Sequence, residues 1–395
     1  MAPDGQILAP NVHEAESIPE AARAEIDRLL SSGDLFRYTA PANAPVALLE
    51  QEFADLLGAR YALAVSSCSA ALFLALKALD LPKGAKVLIP AFTFAAVPSS
   101  VVHAECEPVL VEVGENYRVD MADFAAKLPE SSAVMISHMR GHTSDMDAIM
   151  ALCDAAGIPV IEDAAHSLGT VWDGRKIGTI GKAGCFSFQS YKLVNAGEGG
   201  IMVTDDPEIA ARAIIMSGAY EENWKKHPGL SNSCAHWQNK LPLYNLRMQN
   251  LSAAVIRPQL PLVAERVFKG RANHDHVAAQ LNGNAFLAVP PPLAAEERAP
   301  DSIQFNLAGD WSDDEARAFQ HAAKMRGVSV QIFGLSEGNA RAFWNWQFLG
   351  PVPELPQTRA MLMRACDVRL PTRLTEGELD FIAGAILAAV ADVKA

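Results

Sequence analysis

Six short apolar runs, separated in several places by helical stretches, limit what this chain can fold into. They are Lys86–Pro90, Pro108–Val113, Ala133–Ser137, Ile158–Ile161, Gly184–Phe188 and Gly200–Thr204. Stretches such as Ala70–Leu79 and Met146–Ala156 carry helical patterns between them. A strand wetted on one face alternates apolar and polar residues, whereas these runs do not. Strands apolar throughout are buried on both faces, which is the habit of parallel sheets covered by helices. The region from about 46 to 260 therefore reads as an α/β unit with a largely parallel sheet. Ligands of such sheets collect beyond the carboxyl ends of the strands.

The remainder changes character. A long helical stretch runs from about Asn250 to Leu281, interrupted or kinked by Pro258 and Pro261. A proline-rich loop from Pro290 to Pro300 follows. Ser312-Asp313-Asp314-Glu315 and Thr375-Glu376-Gly377-Glu378 have the Ser/Thr-x-x-Glu spacing of capping boxes that open helices. At 395 residues the chain has room for two domains. We divide it into residues 1–261, an N-terminal segment with the large domain, and residues 262–395, a smaller C-terminal α/β domain.

The formal charge of −13 argues against a nucleic-acid or anionic-membrane partner, both of which need a basic footprint. Six cysteines (Cys68, Cys106, Cys153, Cys185, Cys234, Cys366) lack CxxC or histidine spacing and read as reduced thiols of a cytosolic protein, not a disulfide frame or zinc site. Met1–Gln6 has no basic segment leading into an apolar core, so no signal peptide is expected. The apolar stretch 381–393 is shorter than the roughly 20 residues a membrane span needs, and it contains Asp392.

The chemistry is concentrated around Lys192. It follows the apolar run ending at Phe188 and precedes Gly197-Glu198-Gly199-Gly200, glycines that let the backbone turn sharply. About thirty residues earlier, Asp163 ends another apolar run. A lysine amine can hold an aldehyde cofactor as a Schiff base, and a carboxylate can keep that cofactor's ring nitrogen protonated. The pair is what pyridoxal 5′-phosphate (PLP) requires. Asp163 has a competing reading as the N-cap of a helix starting at Ala164. Ser67, Cys68 and Ser69 precede the helical stretch at Ala70, where backbone amides and the helix dipole form a phosphate seat. Ser187 is a second phosphate candidate. Phe94 follows a strand and can stack on a flat ring. His166, three residues after Asp163, is placed to reach a cofactor oxygen. No dinucleotide or P-loop fingerprint, HExxH or GxSxG elbow is present.

Five segments in register, Val65–Leu72, Pro90–Phe94, Glu162–His166, Gly184–Gly200 and Tyr244–Ala254, resemble the DegT/DnrJ/EryC1/StrS (sugar) aminotransferases. That resemblance implies PLP fold type I: a large domain with a mostly parallel, mixed seven-stranded sheet, and a small C-terminal α/β domain. It implies a homodimer with active sites at the subunit interface. It puts Lys192 on the Schiff-base lysine and Asp163 on the ring-nitrogen partner. Ser187, Ser69 and the turn at Cys68 fall on phosphate contacts, and Phe94 on the stacking ring. His166 falls near the cofactor oxygen, and Asn245 on an asparagine that reaches the partner subunit's cofactor phosphate.

The chain departs from the family at His138–His142 and at Val330–Trp346, where the pattern common to nucleotide-sugar members is missing. Arg140 and His142 are candidates to meet a substrate anion, and Arg341 and, from Ser32–Tyr38, Arg37 are candidates for a substrate carboxylate. The expected activity is a cytoplasmic PLP-dependent aminotransferase moving an amino group from glutamate or glutamine to the keto group of a sugar, cyclitol or related polyhydroxylated molecule. The alternatives are PLP-dependent elimination or decarboxylation, transamination of a 2-oxo acid, or a PLP-binding regulator without catalysis.

Overall fold

The computed structural model describes residues 9–39 and 43–394, so the reading of Met1–Gln6 lies outside the described residues. Its strands are β1 (Tyr61–Val65), β2 (Lys86–Pro90), β3 (Glu107–Val111), β4 (Ala133–Ser137), β5 (Val160–Asp163), β6 (Val171–Trp172) and β7 (Arg175–Lys176). They continue with β8 (Ala183–Ser187), β9 (Gly200–Thr204), β10 (Leu287–Ala288), β11 (Glu296–Glu297), β12 (Ser302–Leu307), β13 (Gln331–Ile332) and β14 (Ala365–Arg369). The principal sheet has seven strands in the order β1-β9-β8-β5-β4-β2-β3. All its neighbouring pairs are parallel except the two made by β9, which runs antiparallel to both β1 and β8.

The uninterrupted apolarity of the strands has a direct structural counterpart. Val87 and Ile89 enter one buried cluster while Leu88 enters the other; Met135 opposes Val134 and Ile136 in the same way. Successive side chains point to opposite faces, and both faces are dry. α1 (Ala21–Ser32), α2 (Pro45–Leu57) and α3 (Cys68–Ala78) precede and follow β1. The all-apolar run of α3 packs its leucines and alanines into the cluster of Val87 and Ile89.

A four-stranded antiparallel sheet, β10-β12-β14-β13, encloses a third core with the helices Val263–Leu281, Asp313–Met325 and Glu376–Lys394. The 250–281 stretch breaks as its prolines predict: Asn250–Ile256 is helical, Arg257–Leu262 tightens to a 3₁₀ turn, and Val263 restarts the helix. Both capping boxes form. Ser312 accepts from the Glu315 amide, and Glu315 accepts in return from the Ser312 amide. Thr375 and Glu378 make the same exchange at 2.8 and 3.4 Å. The last helix turns Ile382, Ile386 and Val390 inward, and no helix among the described residues is long and apolar enough to cross a membrane.

Glu162 anchors the segment that carries Asp163. Its fully buried carboxylate accepts from His138 Nε2 (3.1 Å) and from the amides of Gly178, Ile180 and Gly181 (2.8, 2.7 and 2.7 Å). Burial alone would raise its pKa. The His138 hydrogen bond and charge, together with the Gly181 and Gly178 amides, outweigh burial and hold it below the usual carboxylate value. A carboxylate depressed in the folded state stabilises above its unfolded pKa and loses that contribution as pH falls through the folded value. Glu162→Gln is expected to cost about 2–4 kcal/mol at neutral pH. Urea denaturation across the acid range should show the gap to wild type narrowing as pH drops; a gap independent of pH contradicts this account.

Candidate active site

Five strand ends deliver the site. β1 leads into Ser67, β2 into Phe94, and Ser137, Asp163 and Ser187 are the last residues of β4, β5 and β8. Because β1, β2, β4, β5 and β8 run in one direction, these ends lie on one edge of the sheet. A cavity of about 820 Å³ opens there, lined among others by Ser67, Cys68, Ser69, Phe94, Asp163, His166, Ser187 and Lys192.

Lys192 is presented by the hairpin joining β8 to β9. Phe188 donates to Gly199 O (2.9 Å) and Ala196 to Phe188 O (2.8 Å), closing the neck of the loop. Gly197 (φ 75°) and Gly199 (φ 151°) adopt the positive φ that glycine tolerates. Gly200 has a different constraint: a Cβ there would lie 2.3 Å from Ser67 C and 2.4 Å from Cys68 N. Its missing side chain lets the lysine hairpin lie directly against the N-terminus of α3.

Lys192 Nζ is 2.7 Å from His166 Nε2. Burial pushes the Lys192 pKa down to about 8, with Asp301 opposing and Arg140 assisting. His166 is held well below its ordinary value, by burial first and then by Lys192, Arg140, Arg341 and Arg369. A neutral imidazole beside a half-neutral amine leaves the amine available as a nucleophile.

Asp163 is buried. Ser137 Oγ donates to its Oδ2 (2.7 Å), and Thr93 donates in turn to Ser137 (2.8 Å). The Ala165 amide donates to Oδ1 (3.2 Å). No helix begins at Ala164; the segment is a turn, so the capping interpretation gives way to a local side-chain turn with the carboxylate on the cavity wall.

At the other wall Ser67 caps α3 by accepting from the Ala70 amide (3.1 Å), and the first turn brings the Cys68 and Ser69 amides to the positive end of the helix. Cys68 Sγ approaches Asp163 Oδ1 at 3.9 Å. Phe94 is 46 % exposed, an aromatic side chain left open on the cavity.

Arg140 and Arg341 line the cavity as well. Arg37 does not. Its buried guanidinium makes two 2.7 Å hydrogen bonds to the two oxygens of Glu50, so its fork is already engaged and the expectation of a substrate contact is corrected. Asn245 also lies outside this chain's cavity, at φ 55°, accepting from Arg247 (2.6 Å). His142 is interior, between Arg298 and Gln304. Sequence reasoning missed Ser137, Asp301, Asp367 and Arg369. Ser137 was legible as the last residue of an apolar run; the other three carry no local signal.

A family model described as the DegT/DnrJ/EryC1/StrS aminotransferase family matches residues 18–387. The chain belongs to that family. It is 37 % identical over 251 residues to the spore coat polysaccharide biosynthesis protein SpsC of Bacillus subtilis (62 % of this chain, 63 % of that one). It is 34 % identical over 224 residues to the GDP-perosamine synthase of Vibrio cholerae (56 % and 58 %). The chain thus spans somewhat under two thirds of the length of these curated relatives. Among solved structures, an aminotransferase from Psychrobacter cryohalolentis superposes with a TM-score of 0.84 at 26 % identity, covering 97 % of this chain and 99 % of that one.

The site fits PLP, the cofactor of this family's aminotransferases, on its own geometry. It combines a half-buried amine of lowered pKa, a carboxylate fixed by a serine, an open aromatic face and a helix N-terminus against which only glycine fits. Two outcomes are expected in the cofactor-free protein. Capture of pyridoxal phosphate by Lys192 should rise with pH around 8, well below the ordinary lysine value. Asp301→Asn removes the largest opposing charge, so the inflection should move lower still. Stopped-flow capture rates against pH check both, and an inflection unmoved or raised in the variant contradicts the assignment.

Proposed function

We propose that this aminotransferase moves an amino group from glutamate or glutamine to the keto group of a sugar, cyclitol or related polyhydroxylated molecule, with Lys192 as the Schiff-base lysine. The observation that carries this reading is the cavity holding Lys192, Asp163 and Phe94 together, with the lysine pKa lowered to about 8. Bound PLP supplies an electron sink conjugated to the reacting carbon. Everything else is the work of the chain. Lys192 Nζ, about half neutral near pH 8, would act as base for the proton on the donor's α-carbon in one half-reaction and would deliver a proton to the carbon bearing the new amine in the other. Asp163 holds a proton on the ring nitrogen through a charge-assisted hydrogen bond, and Ser137 fixes the carboxylate for that role.

His166 orients the amine at 2.7 Å and would be the residue to meet an oxygen of the bound cofactor. Ser67, Cys68 and Ser69, with Ser187, seat the phosphate at the head of α3. Phe94 covers the ring. In this reading the enzyme is a homodimer in which Asn245 serves the partner's phosphate, and the chain divides near residue 261 into large and small domains. Six buried, unpaired cysteines support a reducing, cytosolic setting.

Lys192→Ala should lose the absorption band of the lysine-linked cofactor and slow amino transfer by at least about 10³-fold. Asp163→Asn should keep that band yet lose about 10²-fold or more in the glutamate half-reaction, followed by stopped-flow absorbance. Near-normal rates in either variant would falsify the corresponding role.

A further inference from the structure

Three arginines from distant parts of the chain converge on the cavity: Arg140 after β4, Arg341 before the turn Phe343–Asn345, and Arg369 at the end of β14. Four of their guanidinium nitrogens (Arg140 Nε, Arg341 Nε, Arg369 Nε and Nη1) are shut off from solvent without a hydrogen-bond partner. Buried N–H groups of this kind are normally satisfied, and a cluster of unpaired ones on three residues that line one cavity points to an acceptor drawn in among them. The local charge points the same way. Arg140 donates to Asp367 at 2.5 Å, while among the described residues Arg341 and Arg369 make no ion pair.

Burial, and repulsion from Arg140, push the Arg341 pKa down to about 10, which leaves it charged at neutral pH. Arg140 also has φ 55° within a single 3₁₀ turn, in the left-handed region that non-glycine residues seldom occupy. Backbone held in such a region is characteristic of functional positions. An anion lodged among the three guanidiniums accounts for the unpaired donors, the two arginines without an ion pair and the held backbone together.

That anion is not the cofactor's phosphate, for which the head of α3 already provides a seat. The arginines bear on the reacting end: Arg140 perturbs Lys192, and all three perturb His166, which touches Lys192. Planar guanidinium forks match carboxylates in two-point hydrogen bonds. Resting on the aminotransferase reading above, we propose that Arg140, Arg341 and Arg369 form a carboxylate cradle beside the reacting carbon, and that the ketone this enzyme aminates is an acid. The donor's carboxylate uses the same cradle, because donor and acceptor occupy one cavity in turn.

The test begins with binding, which needs no turnover. Succinate and its neutral isostere succinamide are titrated calorimetrically into the cofactor-loaded enzyme, and into Arg341→Gln and Arg369→Gln. Succinate should bind at least about tenfold more tightly than succinamide, and each variant should weaken it about tenfold or more while cofactor affinity and absorption stay unchanged. Equal binding of acid and amide, undetectable succinate binding, or unchanged succinate affinity in both variants overturns the cradle. Variants that shed cofactor but keep succinate assign the arginines to the phosphate instead, and overturn it too.

A second arm loads the enzyme with pyridoxamine phosphate and compares a keto acid with its neutral amide. The acid should restore the lysine-linked band at least about tenfold faster; equal rates overturn the acidic acceptor while leaving the donor's use of the cradle intact. If one variant does not fold, the other and the comparison on unmodified enzyme still decide. An enzyme that binds succinate as expected but is converted by no amino donor keeps the cradle and instead defeats the aminotransferase reading.

Discussion

The withdrawal of one amine from water sets the terms for the rest of the site. Lys192 is half-buried at the cavity, and desolvation is the largest influence lowering its pKa to about 8. A charged ammonium there would face a neutral imidazole 2.7 Å away and Arg140 nearby, with Asp301 and Asp163 as the main compensation. Placing such a group costs stability, and the surrounding framework has to be stiff enough to hold it. Stiffness comes from the five parallel strands whose carboxyl ends meet at the cavity, and from the hairpin neck closed by Phe188, Ala196 and Gly199.

A second layer holds the side chains that touch the cavity. Asp163 is steadied by Ser137 and Thr93, and the strand beneath it by Glu162 with its three backbone amides. On the opposite wall a longer chain of hydrogen bonds leads inward from Arg140. Asp367 accepts from Arg140 and from Gln304, Gln304 accepts from His142, and Arg298 bridges His142 to His274. His142 is pushed well below its ordinary pKa by burial and by Arg298, so it stays neutral, accepting on one nitrogen while donating on the other. Buried polar chains of this kind are satisfied only when each member keeps its orientation, which fixes the direction of Arg140.

Much of the chemical core was legible in the sequence because it obeys local rules. Apolar runs of strand length announce the sheet, and a residue at or just after the end of such a run has little choice about which edge it decorates; Phe94, Asp163 and Ser187 belong to this class, while Ser67 was legible from the helix that opens after it. Lys192 was legible because glycines follow it where the chain must reverse. The apolar runs by themselves left out β1 and the reversed direction of β9, since an apolar strand buried on both faces looks the same in either direction; the mixed seven-stranded sheet that the family resemblance implied is the one found. Arg37 illustrates the converse failure. Its sequence context suggested a free cation, but Glu50, one helix away, faces it in the fold and takes both prongs. Arg369, Asp301 and Asp367 were silent because only packing of the antiparallel sheet beside the parallel one brings them to the cavity.

The cavity has two origins along the chain. The groups around the amine come from residues 67–192, fixed to the parallel sheet, while Arg341, Asp367 and Arg369 enter from the last quarter of the polypeptide. The two groups are therefore carried on separate stretches of backbone, although Phe333 and Phe343, which flank Arg341, share a core with the parallel sheet, while Cys366 and Val368 of β14 belong to another. The two stretches are not independent, since Arg369 donates to Tyr191 O (3.2 Å) beside the lysine and Asp301 opposes the fall in the Lys192 pKa, so a change in the later stretch that alters what fits the cavity also reaches the amine that reacts.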